Sequence, residues 1–185
     1  MVPFWGIKKE SNEPVDFEVK YLTKIGIDTN YVFRLKRQWV DSLSIKKYAL
    51  NTYKLKTGGR AGAVQIRMYD KTGQFIYGWE QCFGSLNHFD IFTTVPISSK
   101  YSYLPINKDL NLWNDLNLFE IDAGTRKLLS TEIQNHSYTI VVYWAAWVGY
   151  FSKNTLKEVN SYVKSHKKEN ILFLKLNTAT YETDK

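Results

Sequence analysis

Cysteine is nearly missing from this 185-residue chain: Cys82 is the only one, so no disulfide can form within it. A cysteine-rich zinc site is excluded with it, because tetrahedral zinc needs three or four N, S or O ligands. His88, His136 and His166 lie far apart, and no two have the four-residue spacing of a metalloprotease helix. No metal and no cofactor is expected. Four prolines and ten glycines are too few for a collagen-like or low-complexity chain. No run of 18 apolar residues exists, so no transmembrane helix is expected.

Blocks of five or six like charges are also missing, although the chain is basic: 25 Lys and Arg against 18 Asp and Glu, a formal charge of +7. That balance permits nucleic acid or an anionic membrane as partner without requiring either. Its simpler reading is a solvated lysine-rich surface, with nucleic-acid binding the lesser alternative. The densest patches are Arg34 to Arg37, Lys46-Lys47 and Lys164 to Lys168. The apolar stretch Val2 to Trp5, before Lys8-Lys9, is too short for a signal peptide. It fits a cytoplasmic chain. It equally fits the stub of an anchor removed ahead of Met1, which would make the protein extracytoplasmic or membrane-tethered.

What is present is enough hydrophobic sequence, 44%, for a real core. Val15, Val19, Leu22 and Ile25 repeat at near-helical spacing, and Asp28-Thr29-Asn30 is turn chemistry. Tyr31 to Leu35 reads as a short strand, and Trp39 to Leu50 as a helix. Ala63 to Tyr69 alternates apolar and polar, Asp70-Lys71-Thr72-Gly73 turns, and Gln74 to Trp79 returns. This is a β-hairpin in which Gly73 supplies the positive φ, with Val64, Ile66 and Met68 on one face. Residues 81–92 read as a short helix, and 93–108, with Pro96 and Pro105, as loop. Residues 109–119 and Thr125 to Ile133 read as two further helices, with Gly124 as a break before the second.

Tyr138 to Trp147 is a nearly continuous apolar run, the pattern of a strand buried on both faces. Ser152 or Asn154 is placed to cap the helix that follows, whose stripe is Leu156, Val159, Tyr162, Val163 and His166. Ile171 to Leu176 is a second buried strand. Strand, helix and strand over this length make a βαβ crossover.

The segment Val141-Val-Tyr-Trp-Ala-Ala-Trp-Val-Gly-Tyr-Phe151 resembles the thioredoxin-like superfamily, in which a buried strand ends in Trp-Ala-x-Trp and runs into Cys-Gly-x-Cys at a helix start. The resemblance covers residues 138–178. It implies an α/β fold: a three-layer core with a central mixed sheet of four or five strands and helices on both faces, plus helical and loop insertions. It also marks what is absent. Val148 and Phe151 stand where the family has its two cysteines. The family's cis-proline would fall near Arg60 to Ala63, where there is none. Dithiol exchange needs a thiolate and a resolving thiol. The resemblance therefore implies the fold without the activity.

The order of elements departs from the family as well, because the hairpin precedes the βαβ unit. Two arrangements fit. One is a circularly permuted domain spanning 1–185, with a hairpin half over 14–92, a connecting insertion over 93–137 and a βαβ half over 138–178. The other is a domain whose remaining strands lie beyond Lys185. The permuted arrangement is favoured, since it gives the buried strands partners.

Candidate chemistry is sparse. Cys82 has no adjacent cation to lower its pKa and reads as packing. Its alternative is a single-cysteine redox enzyme or sensor. Cys82 with His88 or His136 and Asp90 makes a triad only on paper. Gly58 to Gly62 lacks the Lys-Ser/Thr of a phosphate loop and leads into a strand. The turn Trp147-Val148-Gly149-Tyr150-Phe151 is the preferred binding site, because in the family it meets the partner's peptide. There Tyr150 and Phe151 form an exposed apolar pair, or Phe151 points inward and fills the space of a thiol. The expectation is a non-enzymatic module that binds a protein or peptide.

Overall fold

The computed structural model describes residues 16–36, 64–80, 102–103, 111–146 and 149–178. They form one mixed sheet with helices on both faces. The strands are β1 (Val32–Arg34), β2 (Gln65–Asp70), β3 (Phe75–Glu80), β4 (Ser102–Tyr103), β5 (Tyr138–Trp144) and β6 (Ile171–Asn177). The helices are α1 (Phe17–Lys24), α2 (Leu112–Leu116), α3 (Ala123–Asn135) and α4 (Tyr150–Ser165). The sheet order is β1-β6-β5-β2-β3-β4. β1, β6 and β5 are parallel, and the β2–β3 hairpin joins antiparallel to β5.

The two central strands follow from their sequence. β-Branched and aromatic residues fill a pleated, two-sided environment well, and every residue of β6 is buried. Ile140, Val142 and Trp144 of β5 pack with Leu22 of α1 and Leu156 and Val159 of α4. The alternate residues, Val141 and Tyr143, pack with Leu116 of α2 and Leu129 and Ile133 of α3. The sheet therefore separates two cores, with α1 and α4 on one side and α2 and α3 on the other.

The hairpin turn forms as its residues dictate. Asp70 Oδ1 accepts from Thr72 N at 2.8 Å, Thr72 Oγ1 at 2.6 Å and Gln74 N at 3.0 Å. Gly73 takes φ +84. Ile66 and Met68 share one core as expected. The polar positions of the same strand, Gln65 and Arg67, are buried too, because α2 covers that side.

Three local expectations are corrected. Residues 93–108 are not all loop: Ser102–Tyr103 pairs with β3, and two residues are too few to carry a periodic signal. Gly124 is not a break but lies in the first turn of α3. The helix starts from Asp122, which accepts from Thr125 N at 2.9 Å. Neither Ser152 nor Asn154 caps α4, whose N-cap is Gly149 at φ +65 with no side-chain cap bond. The helices expected at Trp39–Leu50 and 81–92 lie outside the described residues.

Candidate functional site

The carboxyl end of β5 and the first turn of α4 form the most elaborated junction among the described residues. Ser152 is fully buried and turns back. Its hydroxyl donates to Ala145 O at 2.6 Å and accepts from Ala145 N at 3.2 Å. Gly149 N donates to Ala146 O at 2.9 Å. Pinned on both sides, the turn delivers Tyr150 to the surface, 51% exposed, while Phe151 is buried at 3%. The exposed Tyr-Phe pair is thus corrected to an exposed tyrosine standing edge-on to a buried phenylalanine, with ring centroids 6.1 Å apart. The cause is helical geometry, since successive residues point about 100° apart. Gly149, Tyr150 and Phe151 are therefore together at this junction. Trp147, Val148 and Cys82 lie outside the described residues, as do His88, Asp90 and Gly58 to Gly62.

The floor of the junction is aromatic and polar. Trp144 is fully buried and stacks on Tyr21 of α1 at 5.3 Å, and Tyr21 stacks on Phe17 at 5.6 Å. Thr178 closes the neighbouring strand end, donating from N and Oγ1 to Trp144 O at 2.8 and 3.1 Å. Beside it Arg34 of β1 meets Glu18 of α1 with two donors, Nε at 2.6 Å to Oε1 and Nη2 to Oε2. Asn177 Nδ2 donates to the same Glu18 Oε1 at 2.9 Å. Arg34 and Asn177 are register partners at the ends of parallel strands, so one carboxylate from α1 ties both.

A second polar group lies on the other side of the sheet. Arg67 Nη1 of β2 pairs with Asp115 Oδ2 of α2 at 2.9 Å, and Arg67 Nη2 donates to Gln65 Oε1 at 3.0 Å. The hydroxyls of Tyr69 and Tyr143 both donate to Asp115 Oδ2. Burial, and then the Asp115 carboxylate, push both tyrosine hydroxyls well above their ordinary pKa. Burial opposes the Arg67 charge, but Asp115 and the tyrosines outweigh it and hold the guanidinium ionised. The group is enclosed and its charges are paired, as a buried ion pair requires, with Arg67 Nε alone left without a hydrogen bond. It orders α2 against the hairpin.

Sequence reasoning missed both polar groups. Their members lie far apart in the chain, and no local spacing joins them. Arg67 gave no signal, since it sat on the polar half of an alternating strand.

No family model, curated protein or solved structure matches this chain.

Proposed function

We propose that this chain is a redox-inactive thioredoxin-like protein, permuted so that its hairpin precedes its βαβ unit, which binds a protein or peptide segment at the β5–α4 turn. One sheet holds a parallel β5–α4–β6 unit and an antiparallel hairpin, the two parts from which that family's core is built. Apolar side chains occupy both cysteine positions, so the helix start has no thiolate to stabilise.

The observation that carries the binding reading is Tyr150. A half-exposed tyrosine at the start of a helix offers a large amphipathic contact at little entropic cost, as interface anchors do. Two measurements test the proposal. In an insulin-reduction assay with dithiothreitol, the protein adds no rate above the reagent. A protein-dependent rate abolished by Cys82→Ser overturns the reading and makes Cys82 the nucleophile. For a peptide selected by display against the whole chain, Tyr150→Ala weakens binding by about tenfold or more with unchanged circular dichroism. Binding indifferent to Tyr150 removes the turn as the site.

A further inference from the structure

Among the described residues the positive charge gathers on one layer. Lys153, Lys157 and Lys164 of α4 are all exposed, four and seven residues apart, spacings that return to one side of a helix. They make a row about 16 Å long. Lys167 and Lys168 extend it in the 3-10 turn that follows, and Lys20 and Lys24 add to it from α1 in the same layer. Opposing them are Asp16, paired to Lys20, Asp28, paired to Lys175, and the half-buried Glu158 and Glu169. None of the five lysines from 153 to 168 makes an ion pair among the described residues. Among the described residues the opposite layer is mixed in sign, with Glu120, Asp122 and Glu132 beside Arg126 and Lys127 and with Lys71 on the hairpin turn.

We propose that the outer side of α1 and α4 is a docking face for an anionic lipid surface, a role separate from the β5–α4 turn. Charge complementarity supplies the attraction, since each lysine near an anionic leaflet strengthens binding about fivefold. Among the described residues the exposed cations of this layer are all lysines, point charges without the planar fork that reads paired phosphate oxygens and base edges. A diffuse plane of headgroups needs no such fork. Val19 of α1, in the same layer, is 53% exposed and offers an apolar contact at headgroup depth. No helix among the described residues is long and apolar enough to cross a membrane, so the face would lie on the surface.

The test is co-sedimentation of the full chain with phosphatidylcholine vesicles, with and without phosphatidylserine, at low salt. Two double variants of equal charge change are compared: Lys153→Glu/Lys157→Glu on the row, and Lys71→Glu/Lys127→Glu on the hairpin turn and α3. All four lysines are exposed, and circular dichroism checks the fold. The expected result is binding that requires phosphatidylserine, falls by about tenfold or more in the row variant and stays within about twofold in the other. Equal losses in both variants overturn the proposal, because net charge alone then acts. Binding indifferent to phosphatidylserine overturns it too. So does tighter binding to duplex DNA or RNA than to the anionic vesicles at the same salt, which gives the face to nucleic acid.

Discussion

Arg67 and Asp115 form a 2.9 Å ion pair between β2 and α2 with neither side chain reaching solvent. Such a pair is costly to break and often cheap to replace whole, because removal of one partner strands the other's charge in the interior. Asp115→Asn is therefore expected to destabilise the fold by about 3–5 kcal/mol. Arg67→Met/Asp115→Leu should lose less than its two single variants added together. Urea denaturation of the variants checks this, and a double variant as unstable as the sum of its singles would refute it.

The tyrosines bound to Asp115 make stability depend on alkaline pH. Burial, and then the carboxylate, raise their folded pKa above the ordinary value of about 10. The unfolded chain releases these protons first, so stability is full below pH ~10 and is lost as pH rises through the folded pKa values. In Tyr69→Phe/Tyr143→Phe that alkaline loss should be smaller, while stability near neutral pH falls by about 1–3 kcal/mol as Asp115 loses two donors. Denaturation midpoints across alkaline pH measure both.

Lys175 has the opposite slope. Its side chain is only 1% exposed on β6, with Nζ 3.1 Å from Asp28 Oδ1 and 2.6 Å from Asn30 O. Burial lowers its pKa from 10.5, and Asp28 offsets this only in part. Between the lowered value and 10.5 the unfolded chain holds a proton that the folded chain has released. Folding stability from this group therefore rises with pH through that window. The stability of the native chain relative to Lys175→Met should climb there, and a flat difference would remove the assignment.

Gly73 closes the hairpin against α2. Its φ is +84, and its carbonyl accepts from Leu112 N at 2.8 Å. A Cβ there would lie 3.2 Å from Trp113 Nε1 and 3.5 Å from Leu112 Cβ. Gly73→Ala combines a left-handed backbone with crowding and should cost about 1–3 kcal/mol. Thermal unfolding reads the loss, and a stable Gly73→Ala would mean that the turn relaxes away from α2.

Much of this architecture was legible because its signals are local. The apolar runs that became β5 and β6, the stripe of α4, and the Asp70–Gly73 turn each state their structure within a few residues. What was not legible depends on distant parts. Gln65 and Arg67 looked like the polar half of an alternating strand until α2 came over them. Ser152 has the chemistry of a helix cap, yet its hydroxyl is used by Ala145 across the turn. Glu18, Arg34 and Asn177 share a bond network over most of the chain's length, and no periodicity could pair them. At the candidate site the sequence left two orientations for Phe151, and only helix phase against the packed core chose between them.

The place of β1 bears on the order in which the molecule assembles. Val32 lies opposite Lys175, so this three-residue strand has no parallel partner until β6, far along the chain, has been made. The βαβ unit and the hairpin can each close over short loops, whereas seating β1 means closing a very long one, the slow kind of contact. β1, with α1 fastened to it through Glu18, is then the last piece to join and the first to open. Amide exchange should show Phe33 and Leu35, whose N–H bonds Asn177 O, losing protection well before Val141 and Leu174, which places a readily released edge of the sheet beneath the lysine-bearing layer.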